Sequence, residues 1–277
     1  MRKFLWLTGW VFSAGVAVGA PGQSPREQNS PACQNVRMMR ALWELDGQAA
    51  SSELDQLSRM VCRFREAPEG HIKYPSGGFA YVGPGYQDSG SWRYPDGDFA
   101  FVGPSYQDAG SWKYPNGKFA FVGKAYQDAD SWRYPSGSFA YVGPAYQDAG
   151  SWKYPNGKFA FVGKAYQDAD SWRYPSGSFA YVGPAYQDAG SWKYPDGKFA
   201  FAGPAYSDAG TWYYPNRQVY LTNSSADTSG RDLVSLVELY LSVDFKDDAR
   251  SLPAALRTMK RLIWVQEQLA SKAPSTP

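Results

Sequence analysis

An elongated, mainly β protein is predicted: an antiparallel β-hairpin repeat sheet, either a single-layer meander or a β-solenoid, flanked by an α-helical pair at each end. Three observations point there. Residues 71–210 are seven consecutive copies of one 20-residue unit. Within each copy aromatic residues recur two apart on both sides of a turn, and in the flanks the apolar spacing changes to a helical period. The chain divides into a signal peptide at 1–22, an N-terminal helical hairpin cap at 23–70, the hairpin array at 71–222 and a C-terminal helical segment at 223–277.

The first segment carries Arg2 and Lys3, then an apolar run from Phe4 to Val18, then the small residues Gly19, Ala20 and Gly22. That order of charge, apolar core and small residues is a secretory signal, with cleavage at about 19–22. Gly9, Ser13 and Gly15 interrupt the run, which is barely long enough to span a bilayer. The chain is therefore expected to be exported, periplasmic or secreted, with no stable membrane insertion after cleavage. Setting aside Arg2 and Lys3 leaves 26 basic against 26 acidic residues, so there is no electrostatic footprint for nucleic acid or anionic lipid.

Cys33 and Cys62 are the only cysteines, and a single pair in an exported chain reads as a structural disulfide. Between them lie two amphipathic stretches, Cys33 to Leu45 and Ser52 to Phe64, divided by Asp46-Gly47. Ser52 with Asp55 has the spacing of a capping box. If the two helices fold back on each other, a Cys33–Cys62 bond staples the open end of the hairpin.

In the repeat, Trp112 and Tyr114 are two apart, as are Phe119 and Phe121, which places each pair on one face of a strand. Pro115, Asn116 and Gly117 form the turn between them. A three-residue loop would pair Tyr114 with Lys118 and send the Phe pair to the opposite face. A four-residue loop including Lys118 would put all four rings on one face, leaving Lys113, Ala120 and Val122 on a half-wet surface. The four-residue loop is the favoured expectation. Five rings at about 150–250 Å² each at best balance the cost of ordering such a unit. A lone hairpin cannot bury them, so neighbouring units must cover each other.

The ends depart from the pattern: Ile72 replaces Trp in the first unit and Arg217 replaces the turn Gly in the last. Beyond them, Arg231 to Val243 and Pro253 to Ala270 have helical spacing. The helical pairs are expected to close the sheet edges, although Met259 and Trp264 also suit a dimer or partner helix.

Residues 111–150 and 151–190 are identical over all 40 positions. Identical neighbours cannot hold different roles, whereas an active site needs unlike groups converging at one point. The Asp of each Tyr-Gln-Asp segment, from Asp88 to Asp188, is read as turn chemistry, since one carboxylate per unit is thin for calcium. His71 is the only histidine. No catalytic residue, metal site or cofactor is expected.

The phrase Trp112-Lys113-Tyr114-Pro115-Asn116-Gly117-Lys118, and its last appearance Trp212-Tyr213-Tyr214-Pro215-Asn216, resemble the bacterial variant of the MORN (membrane occupation and recognition nexus) repeat over residues 71–222. The resemblance implies a hairpin meander in one extended sheet and a scaffold or protein-interaction role. The unit is also similar to choline- and glucan-type cell-wall-binding repeats, in which a ligand sits between aromatics of successive hairpins. That similarity implies stacking residues at Trp112, Phe119, Phe121, Trp132, Phe139, Tyr141 and Trp152. The expected function is an exported, non-catalytic scaffold with a protein partner; the alternative is a cell-envelope glycan- or choline-binding module.

Overall fold

The computed structural model describes residues 30–215, 217–222, 225–226 and 252–271. The expected signal segment at 1–22 and the expected helix at Arg231–Val243 lie outside these residues. The fold is a β-meander of repeated hairpins with helices at both ends of the chain. Among the described residues, seventeen short strands, from Ile72–Lys73 to Ser225–Ala226, form one antiparallel sheet. Each pairs with the next in chain order.

The third unit illustrates the local logic. Strand Trp112–Lys113 leads into the turn, where Gly117 N–H donates to the Tyr114 carbonyl at 2.9 Å and Tyr114 N–H donates to the Lys118 carbonyl at 2.8 Å. Gly117 has φ +77°, the left-handed conformation that glycine adopts without steric cost. The loop is therefore the three-residue one, which corrects the expected four-residue turn.

The Phe pair does not move as a block either. Trp112 pairs with Phe121, but Lys113 pairs with Phe119, so Ala120 is an extra residue in a β-bulge. The bulge splits Phe119 from Phe121 and sends them to opposite faces. Ala120 and Val122, expected on a half-wet surface, are fully buried. Each of the seven copies carries Ala at the bulge, and all seven of these Ala side chains are fully buried.

Helix α1 (Pro31–Leu45) is capped by Ser30, whose hydroxyl accepts from Cys33 N–H at 3.2 Å. Helix α2 (Ser52–Val61) is capped by Ser51, one residue before the expected cap, through Leu54 N–H at 3.2 Å. Cys33 and Cys62 are bonded, with Cα atoms 4.7 Å apart, and close the hairpin as expected. Helix α3 spans Leu252–Ser271.

The helices roof one face of the sheet; they do not sit on its edges as expected. Trp43 of α1 packs on Tyr114 with centroids 5.6 Å apart, and Phe64, just beyond α2, lies 6.2 Å from Trp92. Asp46 accepts from the Ser136 N–H at 2.7 Å and from its hydroxyl at 3.1 Å. Gln266 of α3 accepts from the Ser176 N–H at 3.0 Å. Lys260 and Glu44 join α3 to α1 at 2.9 Å. One continuous core results, with Met39, Leu42, Leu57, Met259 and Leu262 set against the Trp and Tyr rows.

Candidate functional site

The face away from the helices is built from four residues per unit. Because Lys113 and Phe119 are register partners, their side chains meet on that face, and Lys113 Nζ stands 5.3 Å from the Phe119 centroid. In the next unit Arg133 takes the same place, with Cζ 4.0 Å above Phe139. The connection after the second strand folds back so that Tyr126 packs against Phe119 at 5.2 Å. The carboxylate of Asp128 then reaches forward to Arg133 at 2.7 Å, both groups being partly buried. The guanidinium also donates to the Gly137 carbonyl at 2.6 Å. Asp, cation, Phe and Tyr thus form a chain of contacts that crosses each unit boundary.

This arrangement recurs along the array, with a cation over Phe in all seven units from Phe79 to Phe199. Lys and Arg alternate from unit to unit, and from unit 2 onward each is paired with an Asp of the preceding unit. In these turns the Asp side chain serves the neighbouring cation, while its carbonyl accepts the Ser N–H that closes the turn, as Asp128 does for Ser131 at 3.2 Å. The sequence signal for this was present, an Asp five positions before each such Lys or Arg from Arg93 to Lys193, but the intervening turn hid the contact.

The residues implied as stacking positions do not converge. Trp112, Trp132 and Trp152 are 3%, 2% and 1% exposed and belong to the core beneath the helices. The Trp152 indole N–H is buried without an acceptor among the described residues. Phe121 and Tyr141 are half-buried on that same face and pack on Trp132 and Trp152 at 5.2 and 5.0 Å. Phe119 and Phe139 lie on the open face, each already covered on one side by a cation.

The helix-side tyrosines are structural. The Tyr114 hydroxyl donates to the Arg133 carbonyl of the next unit at 2.8 Å, and the pattern repeats from Tyr74 to Tyr194. Burial pushes the Tyr114 phenol well above its ordinary range, with the neighbouring Tyr134, Tyr94 and Asp46 acting in the same direction. Among the described residues, no group of three or more His, Cys, Asp or Glu side chains could hold a metal ion. No described helix is long and apolar enough to cross a membrane.

Compared with known proteins, the chain matches no family model, no curated protein and no solved structure.

Proposed function

We propose that this is an exported, non-catalytic interaction scaffold that engages its partner through the open face of the hairpin array. The observation that carries the reading is the regular Asp, Lys/Arg, Phe and Tyr set, repeated on the one face that no described helix covers. A rigid array of one chemical unit suits a partner that is itself extended or repetitive, because many weak equivalent contacts add up. Export rests on the signal-like segment at 1–22 and agrees with the Cys33–Cys62 bond, since disulfides persist in oxidising compartments. A protein partner and a cell-envelope glycan remain the two candidate classes. Choline fits less well, because the protein's own Lys and Arg already occupy the cation position over the Phe rings.

Paired variants test the reading. Tyr126→Ala with Tyr166→Ala alters only the open face, whereas Trp264→Ala alters the exposed side of α3. Each variant is checked for its fold by circular dichroism and then used to capture material from an envelope extract. The expected result is capture lost with the tyrosine variant and kept with Trp264→Ala. Capture that depends on Trp264 and ignores the tyrosines would move the function to the helices.

A further inference from the structure

The partner class can be narrowed, on the premise that the open face is the binding face. Three properties of that face bear on it. The first is charge. Asp128 neutralises Arg133 and Asp108 neutralises Lys113, and so along the array, so the face offers a polyion no unmatched row of one sign. The exposed Lys124 and Lys164 are equalled in number and charge by the exposed Asp130 and Asp170.

The second property is unspent hydrogen bonding. Tyr106, Tyr126, Tyr146, Tyr166 and Tyr186 are half-buried against Phe, and their hydroxyls have no partner among the described residues. The helix-side tyrosines differ, since each donates to a carbonyl of the next unit. The residue after each open-face Tyr is an exposed Gln, as Gln127 after Tyr126. A ring edge and a phenol, with a carboxamide on the next residue, match a sugar ring, which has C–H faces and a rim of hydroxyls that both donate and accept.

The third property is spacing. Strands in a sheet lie about 4.7–4.9 Å apart, so each two-strand unit advances about 9–10 Å, a length comparable to a disaccharide of an extended β-linked chain. The sheet must also twist along its length, which favours one flexible chain over a flat crystalline surface. Large apolar side chains are scarce here: among the described residues of the array, Tyr86 and Val219 are the exposed large hydrophobics. That scarcity argues against a dry protein interface.

We propose that a single chain of a neutral polysaccharide lies along the open face, each unit contributing a Phe–Tyr pair and a Gln. The test is calorimetric titration of the full exported chain with cellohexaose, laminarihexaose and chitohexaose, with polygalacturonate as the charged control.

At least one neutral hexaose is expected to bind, with its disaccharide weaker by about tenfold or more. Tyr126→Ala with Tyr146→Ala should weaken it by about tenfold. Tyr126→Phe with Tyr146→Phe, which keeps the rings and removes only the hydroxyls, should show a smaller loss. Trp264→Ala should bind as the parent does. No binding of any neutral chain, equal affinity for hexaose and disaccharide, or preference for polygalacturonate would overturn the proposal. If a protein is instead released by the tyrosine variants while no sugar binds, the polysaccharide assignment fails and the open-face reading stands. Sugar binding that follows Trp264 and not the tyrosines would overturn both.

Discussion

Gly117 and Gly123 belong to the same unit and resist substitution for different reasons. At Gly117 an added Cβ would meet nothing within 4 Å, but φ is +77°. Alanine there should cost about 1–2 kcal/mol through backbone strain alone. At Gly123 the added Cβ would lie 2.4 Å from the Ala109 carbonyl oxygen and 2.9 Å from the Ser111 hydroxyl, which accepts the Gly123 N–H at 2.9 Å. Gly123→Ala must therefore displace backbone as well as the hydrogen bond, and a loss of about 3 kcal/mol is expected. Denaturant melts of the two variants check the order. A larger loss at Gly117 would contradict the close approach. The role of Gly117 is legible from Pro-Asn-Gly; that of Gly123 is not, because the atoms it must avoid come from the preceding connection.

The bulge and the docked helices belong to the elements. Alternation of Trp with Tyr and of Phe with Phe correctly marks two strands, but a period of two cannot foresee an inserted residue. A single extra Ala reverses the face of everything beyond it. Turn chemistry also differs between units with a reason: Asn116 satisfies its own turn through Lys118 N–H at 3.1 Å and reaches the Pro135 carbonyl at 3.2 Å. Ser136 and Ser176 are shorter, and their N–H groups are bonded by Asp46 and Gln266 from the helices. Asp46→Ala and Gln266→Ala should each lower stability by about 1 kcal/mol, seen as a drop in Tm of about 2–4 °C. If neither substitution moves Tm, these bonds do not hold the roof in place.

Across the whole molecule, stability is shared between units. The links that cross each boundary include strand pairing of Phe121 with Trp132, whose rings pack at 5.2 Å, the Tyr114 hydroxyl on the Arg133 carbonyl at 2.8 Å and the Asp128–Arg133 pair at 2.7 Å. A peptide of residues 131–150 alone loses such links on both sides and should be unfolded by circular dichroism; a folded peptide would refute shared stability. The buried tyrosines add a pH dependence. Desolvation by burial is the largest influence on Tyr94, Tyr114, Tyr134, Tyr154 and Tyr174, and it raises each phenol far above the ordinary 10.0. Unfolded phenols therefore release protons above pH 10.0 while folded ones keep them. Stability should be flat below that point with respect to these groups, and should fall as pH climbs toward the raised values. The slope is about 1.4 kcal/mol per pH unit for each tyrosine. Urea midpoints measured from about pH 9 to about pH 11.5 test this, and Tyr134→Phe should make the decline shallower.

Unit length, strand content, turn position, the Cys33–Cys62 staple and the α1–α2 hairpin are all written in local spacing, because periodicity and turn stereochemistry act over a few neighbouring residues. Three features are not local: which face each ring occupies, where the helices lie and which aromatics stay accessible. They depend on the Ala120 bulge and on contacts such as Asp46 with Ser136, formed between segments 90 positions apart. Trp112, the most conspicuous ring of the unit, lies in the core because the helices must bury their own apolar sides somewhere. The Trp and Tyr rows share one core with them, and the Phe119 and Tyr126 pairs are left half-buried on the other face.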